Sequence, residues 1–252
     1  MAGEPVFILD VAPNGIVATH PQRAELPVLV APIPAEQTGK NFNAIREKLI
    51  AIGCMRLPNT GFAFDSSFIS PESADAFTRF ARLMIKLRDS HESKAFPPCS
   101  VFAHADPTGD DNYNKTLSGR RALALYGLLI RKAEIWDELF SPGFGGDQWG
   151  TKSFQTILSQ TLEDDAGPFY TGPIDGGLTA QTQKATRDAI SAWRESRGFG
   201  KGFTLDKKMR LQLFREYMDA ICKDPDGNNF ELTPDDFIAR GKGDGLKGDV
   251  QG

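Results

Sequence analysis

Apolar residues recur every three or four positions in several segments, a pattern that predicts amphipathic helices. The best-signalled helix begins at Ser70-Pro71-Glu72, a sequence that suits a helix N-terminus, and ends near Asp89. Its apolar face consists of Phe77, Phe80, Met84 and Leu87. The same spacing predicts further helices over residues 41–53, 115–132, 151–163, 179–197 and 206–222, with Asn114 as the N-cap of the second.

Short apolar runs bounded by glycine and proline predict strands over residues 6–11, 26–30, 61–65 and 99–104. Strands and helices alternate between residues 61 and 132, and this order favours helices packed on a sheet. We therefore expect an α/β protein. The glycine-rich run SPGFGGDQWG over residues 141–150 predicts a domain boundary, and the segment from Lys223 onward is polar and glycine-rich.

Composition narrows the classes of function. The 252 residues are 40% hydrophobic and carry a net charge of −4, which is typical of a globular protein and argues against a general nucleic-acid binder. Three scattered cysteines and three histidines give no disulfide framework and no metal-ligand spacing, so we expect no cofactor and no metal site. The chain has no 18-residue apolar run, and its first residues do not resemble a secretory signal.

The densest candidate chemistry lies in the loop and helix over residues 104–122. Arg121 follows Leu117 by four residues on an apolar stripe, so we expect its guanidinium to be partly desolvated and to need an anion. Asp106 opens the loop that leads into this helix. A carboxylate and a guanidinium held close together can bind a zwitterion, the first through its ammonium and the second through its carboxylate. Alternatively, Asp106 and Arg121 form a salt bridge that only holds the loop. The neighbouring Arg120 is expected to face solvent.

Three motifs with fixed spacing carry a resemblance to a known family. They are FAFDSSFISPE over 62–72, VFAHAD over 101–106 followed by Gly109, and NKTLSGRRA over 114–122. Together they resemble the OmpA-like peptidoglycan-binding domain over about residues 60–132. Ala103 and Ala105 depart from its pattern, in which glycine and threonine flank the histidine.

The resemblance implies the roles of individual residues. It assigns Asp106 and Arg121 to the amine and carboxylate of the diaminopimelate in peptidoglycan stems. Asn114 and Leu117 match positions that shape the same pocket, and Phe64 belongs to the phenylalanine-rich strand beside it. These five residues form the predicted ligand-binding set, and no catalytic residue is predicted.

A second resemblance lies over residues 172–199, where GPIDGGLTAQTQKA is followed by Trp193 and Gly198-Phe199. This segment is similar to the three-helix peptidoglycan-binding domain found beside cell-wall hydrolases. Thr179 stands where that family has glycine, and four extra residues lie between Thr182 and Trp193. A generic helical bundle is the alternative.

These patterns predict four parts: an N-terminal extension over 1–58, an OmpA-like domain over 59–140, a helical subdomain over 151–222, and a return segment over 223–252. The predicted fold is an OmpA-like α/β sandwich into which the helical subdomain is inserted, with Phe237–Gly241 beside the sheet. The closing strand of that family is then expected among the first 33 residues or beyond Gly252.

The predicted function is non-catalytic peptidoglycan binding. The expected partners are peptidoglycan and the proteins of an envelope or contractile injection assembly. A location in the periplasm or at the cell wall follows, with the cytoplasm as the alternative. One rival is a peptidoglycan hydrolase whose catalytic carboxylates lie among Asp164, Asp165, Asp175 and Glu195. The other is a scaffold with the same fold that binds no ligand, which Ala103 and Ala105 favour.

Overall fold

The computed structural model describes residues 8–12, 15–20, 23–29, 61–90, 92–105, 109–163 and 167–252. The chain forms two compact units, residues 1–53 and residues 54–252. The first contains an antiparallel three-stranded sheet in the order β1 (Ile8–Ala12), β2 (Gly15–His20) and β3 (Arg23–Leu29). The sequence predicts the outer two strands and misses β2. The helix predicted over 41–53 lies outside the described residues.

The second unit is rich in helix with small sheets, so the broad α/β prediction is confirmed at that level. Its helices are α1 (Ala74–Ser90), α2 (Asp111–Leu129), α3 (Ala133–Phe140), α4 (Thr151–Gln160), α5 (Ala180–Ser196) and α6 (Lys207–Ile221). Its strands are β4 (Val101–Phe102), β5 (Leu162–Glu163), β6 (Gly167–Pro168) and β7 (Val250–Gln251). None of the helices in the described ranges is both long and apolar enough to span a bilayer.

The helix predicted over 115–132 is displaced and divided. Asp110 caps α2, because its side chain accepts a hydrogen bond from the Tyr113 N–H at 2.8 Å, so Asn114 lies within the first turn instead of capping it. The helical pattern breaks at Arg131, whose φ of 53° is left-handed, and α3 starts two residues later. The predicted Asn114 cap is therefore wrong by one turn.

Parallel pairing returns the C-terminal segment to residues 99–103. Val101 pairs with Val250 and Phe102 with Gln251. Two residues earlier, the Cys99 N–H donates to the Asp236 carbonyl at 2.9 Å, and the Ile238 N–H donates to the Cys99 carbonyl at 3.0 Å. The segment around Phe237 thus lies beside residues 99–103, with α4, α5 and α6 intervening in sequence.

The strand predicted over Gly61–Asp65 is wrong. Phe62 forms only an isolated antiparallel bridge with Ile69, and the chain turns between them at Phe64-Asp65. Asp65 adopts a φ of 53°, which an aspartate tolerates better than a β-branched or bulky residue. The alternating phenylalanines therefore belong to a tight turn.

One hydrophobic core joins the helices on both sides of residues 141–150. The Trp136 ring of α3 contacts four aromatic rings, those of Phe68, Trp149, Phe214 and Tyr217. The Tyr217 hydroxyl on α6 donates to the Ile69 carbonyl at 2.8 Å. Because Trp149 is buried in this core, the glycine-rich run that predicts a boundary is an integral part of the packing.

Candidate functional site

Arg121 projects from α2 towards the turn at residues 62–66 and the end of β4. Its Nε donates to the Ser66 carbonyl at 2.8 Å, Nη2 donates to the Ala63 carbonyl at 3.3 Å, and Nη1 reaches the His104 carbonyl at 3.5 Å. The guanidinium lies 5.3 Å from the centre of the Phe62 ring. The predicted half-buried arginine is therefore present, and its polar contacts in the described residues are backbone carbonyls.

Among the described residues, Arg121 has no close partner of opposite charge. Partial burial lowers the pKa of the guanidinium, while the charges of Asp147 and Asp65 favour the protonated form. An arginine remains protonated at neutral pH all the same. Among the described residues, no ion pair includes Arg121. The guanidinium donates to three neutral carbonyl oxygens. These three hydrogen bonds use three of its five N–H groups.

The other predicted ligand-binding residues fall in different environments. Asp106 lies outside the described residues. Leu117 is only 4% exposed, so it supports α2 from within the core instead of lining an open pocket. Phe64 is 98% exposed at the tip of the turn. Arg121 binds the carbonyl on the N-terminal side of Phe64, so the two residues belong to one neighbourhood.

An open depression of about 260 Å³ lies between the end of β4 and the first turns of α2. Its walls are Ala103, His104, Ala105, Asp111, Asn114, Lys115, Ser118 and Gly252. The His104 carbonyl, which Arg121 approaches, belongs to the same strand end. Asn114 is among these walls, whereas Arg121, predicted at the floor of the pocket, is not.

The prediction that Arg120 faces solvent is wrong. Its side chain is 12% exposed, and its Nε donates to Asp147 Oδ2 at 2.6 Å. Its Nη2 also donates to the Leu139 carbonyl at 2.6 Å. Arg120 is paired because residues 141–150 fold back against α2 and bring a fully buried carboxylate to it.

Asp147 organises the turn that holds Arg121. It accepts hydrogen bonds from the Ser67 N–H at 2.7 Å, from the Ser67 hydroxyl at 2.5 Å and from the Ser66 hydroxyl at 3.4 Å. The Trp149 indole N–H also donates to the Ser67 hydroxyl, at 3.0 Å. Asp147 therefore fixes the peptide whose carbonyl binds Arg121 Nε. Sequence reasoning misses this residue because an aspartate in a glycine-rich run is typical of an exposed turn.

Tyr113 holds the same turn from another side. Its hydroxyl donates to Asp65 Oδ1, and this hydrogen bond raises the pKa of Tyr113. The Gly146 N–H donates to the same hydroxyl at 3.1 Å. A Cβ at Gly146 would lie 1.7 Å from Asp65 Oδ2, so a side chain there would displace the Asp65 carboxylate. The turn whose carbonyl groups bind Arg121 is thus held in place by both α2 and the segment 144–149.

The carboxylates considered for hydrolysis have structural partners where the structure describes them. Asp175 Oδ1 accepts from the Gly177 N–H at 2.7 Å and from Gln155 Nε2 at 3.1 Å. Slight desolvation raises the pKa of Asp175, but these hydrogen bonds outweigh it and lower the pKa, the opposite of what a general acid needs. Glu195 lies 3.8 Å from Lys201 Nζ, and Asp164 and Asp165 lie outside the described residues.

The described residues contain no cluster of three or more His, Cys, Asp or Glu side chains arranged to hold a metal ion. Comparison of the chain with protein-family models, with curated proteins and with solved structures gives no match.

Proposed function

We propose that this protein binds peptidoglycan without cleaving it, and that Arg121 receives a carboxylate of the diamino acid in the peptide stem. One observation carries the proposal: the Arg121 guanidinium is half-buried, yet among the described residues its hydrogen bonds go only to neutral carbonyls. A fixed, partly desolvated cation with N–H groups to spare is a strong receptor for a carboxylate.

The proposal includes the finer fold, an OmpA-like sandwich with an inserted helical segment. The parallel pairing of β4 with β7 and of Cys99 with Phe237 supports it. In this view α4, α5 and α6 are an insertion that has come to share the core of the surrounding domain. Asp106 would take the ammonium group of the ligand, while Asn114 and Phe64 lie at the rim and Leu117 supports α2 from below.

A pull-down with purified peptidoglycan sacculi tests the proposal. Arg121→Ala removes one charge-assisted contact worth about 1.5–3 kcal/mol, so binding should weaken by about tenfold or more. Asp106→Ala should act similarly. The matched control is Arg82→Ala, which removes an exposed arginine of α1 and should leave binding unchanged.

Thermal unfolding of each variant separates loss of binding from loss of fold. If Arg121→Ala and Asp106→Ala are both folded and bind sacculi like the parent, the site is wrong. If the parent itself binds no sacculi, the protein is a scaffold that binds no peptidoglycan. The three carbonyl contacts of Arg121 then have only a structural role. Clearing of a sacculus suspension by the protein would instead identify a hydrolase.

Binding to the wall places the protein in the cell envelope. We propose that it serves there as a docking element for an envelope or contractile injection assembly. Fractionation of cells producing the full chain, with sacculi separated from soluble proteins, tests this part on its own.

A further inference from the structure

The loop between α5 and α6 presents aromatic and basic side chains together. Its sequence GFGKGF, residues 198–203, alternates glycine with Phe199, Lys201 and Phe203. All three glycines have a positive φ, a backbone conformation that other residues rarely adopt. The Phe199 ring packs against the Trp193 ring, with the ring centres 5.8 Å apart. The Phe203 side chain is 57% exposed, which is unusual for so large an apolar group.

Arg194 holds this loop in a defined shape. Its Nη1 donates to the Thr204 carbonyl at 2.8 Å and its Nη2 donates to the Phe199 carbonyl at 3.3 Å. The Gly202 N–H also donates to the Ser191 hydroxyl at 3.2 Å. A Cβ at Gly202 would lie 2.6 Å from Arg194 Nη1, so the close approach depends on glycine. The exposed phenylalanine is therefore presented by a fixed loop.

One cation lies beside each of the Phe199 and Phe203 rings. The Arg187 guanidinium lies 5.2 Å from the centre of the Phe203 ring, and Lys208 Nζ lies 5.6 Å from the centre of the Phe199 ring. Lys201 stands at the tip of the loop. We call Arg187, Phe199, Lys201, Phe203 and Lys208 the basic–aromatic patch.

Nearby acids do little to neutralise this patch. Among the described residues, no ion pair includes Arg187 or Lys208. Lys201 Nζ approaches Glu195 at 3.8 Å, but both side chains are exposed, and such pairs are weak. The Asp206 carboxylate accepts from the Met209 N–H at 2.9 Å as the N-cap of α6. The patch therefore keeps a local positive charge on a chain whose net charge is −4.

We propose that the basic–aromatic patch docks the protein on a bilayer that contains anionic lipids. Lysine and arginine near such a surface are attracted to its headgroups, and an exposed aromatic ring beside them can enter the boundary of the acyl chains. This inference goes beyond the proposed wall binding and does not depend on it, because it concerns a different part of the chain.

The geometry favours a lipid surface over a single-stranded nucleic acid. Arg187 lies over one face of the Phe203 ring, so at most the other face is available for base stacking. The exposed part of Phe203 suits insertion between lipids, which requires apolar area but no particular face.

Co-sedimentation of the full chain with vesicles tests the proposal. One set of vesicles contains phosphatidylcholine alone and the other contains equal parts of phosphatidylcholine and phosphatidylglycerol. We expect binding only to the anionic vesicles and a steep loss of binding as salt is raised. Lys201→Gln should weaken binding about fivefold, in line with one cation near an anionic surface. Phe203→Ser should weaken it by a similar factor.

Matched controls keep the test specific. Leu178→Ser alters another exposed apolar side chain, and Lys242→Gln removes another exposed cation; both should leave vesicle binding unchanged. Thermal unfolding should be the same for all four variants, because each alters an exposed side chain. Sacculus binding by Phe203→Ser should equal that of the parent, which separates this proposal from the wall-binding site.

Three results would overturn the proposal: equal binding to both kinds of vesicle, no binding to either, or binding to anionic vesicles that Lys201→Gln and Phe203→Ser leave intact. Titration with a fluorescent single-stranded oligonucleotide tests in parallel whether the patch binds nucleic acid. If it binds and these two variants abolish that binding while anionic vesicles do not bind, the patch serves nucleic acid instead.

Discussion

Arg120 and Arg121 are neighbours on α2, yet they lie in opposite kinds of site. Arg120 reaches a fully buried carboxylate, Asp147, and a carbonyl behind it. Arg121 reaches the carbonyls of a turn and a strand end, and no described carboxylate pairs with it. The first site is complete within the protein, so its arginine has a structural role. Within the described residues the second leaves the charge of Arg121 unpaired, and our proposal assigns a ligand to that position.

The largest expected effect is the loss of stability when the buried ion pair between Arg120 and Asp147 is removed. Asp147→Ala leaves Arg120 buried without its partner and releases Ser66 and Ser67. Removing one member of a buried ion pair costs about 3–5 kcal/mol. Denaturant unfolding of the variant should show a loss of free energy in that range. A loss below about 1 kcal/mol would mean that the two arginine sites do not differ as described.

A double-mutant cycle sharpens the comparison. Arg120→Ala and Asp147→Ala should be coupled by about 2–3 kcal/mol in the free energy of unfolding, because they remove the same interaction. Arg121→Ala combined with Asp147→Ala should show weaker coupling, since Asp147 makes no hydrogen bond to Arg121 and acts on it through the Ser66 peptide and through its charge at longer range. Equal coupling of both arginines to Asp147 would remove the distinction between the sites.

A smaller effect is expected from Tyr113→Phe, which removes the hydroxyl that joins Asp65 and Gly146. The loss of these bonds should cost about 1 kcal/mol in the free energy of unfolding. Because the pKa of Tyr113 is raised in the folded protein, its contribution is fully present below the ordinary tyrosine pKa of about 10 and is lost above it.

The pH dependence of this variant supplies its control. The stability difference between the parent and Tyr113→Phe should be constant from neutral pH towards pH 10 and should shrink at higher pH. Other tyrosines titrate equally in both proteins and cancel in the difference. A gap that widens above pH 10 would contradict the assigned hydrogen bond.

The smallest effect is expected at an exposed ion pair. Lys184 and Asp188 are 2.6 Å apart on α5, and both side chains are largely exposed. Asp188→Ala should change the free energy of unfolding by less than about 0.5 kcal/mol, because solvent and salt screen such pairs. A change comparable to that of Asp147→Ala would show that burial does not decide the strength of ion pairs in this protein.

The sequence predicts the helices well where their apolar stripes are regular. Predicted ranges of 151–163, 179–197 and 206–222 correspond to α4, α5 and α6 within three residues at each end. The same holds for α1, which directly follows a 3₁₀ turn over Pro71–Ser73 that begins at the predicted Ser70-Pro71 signal. These elements are amphipathic, so their period of 3.6 residues is visible without knowledge of the tertiary structure.

The sequence-based predictions fail where tertiary contacts determine the local structure. The phenylalanines at 62–64 alternate like a strand, but Asp147 and Tyr113 hold that segment as a turn. Arg120 is adjacent to Arg121 and equally polar, so only the folding back of residues 141–150 reveals that it is paired. The candidate site was predictable in part: Arg121 and Asn114 follow from motif spacing, whereas Asp147 has no signal in the sequence.

The most direct test of the account is calorimetric titration of the full chain with a soluble stem peptide that ends in a free diaminopimelate carboxylate. We predict that the parent binds this peptide, and that Arg121→Ala, folded and with an unchanged thermal transition, binds it at least about tenfold more weakly. Arg82→Ala should bind like the parent. Equal affinity of the parent and Arg121→Ala for the peptide would contradict the claim that the unmatched charge on α2 is the ligand site.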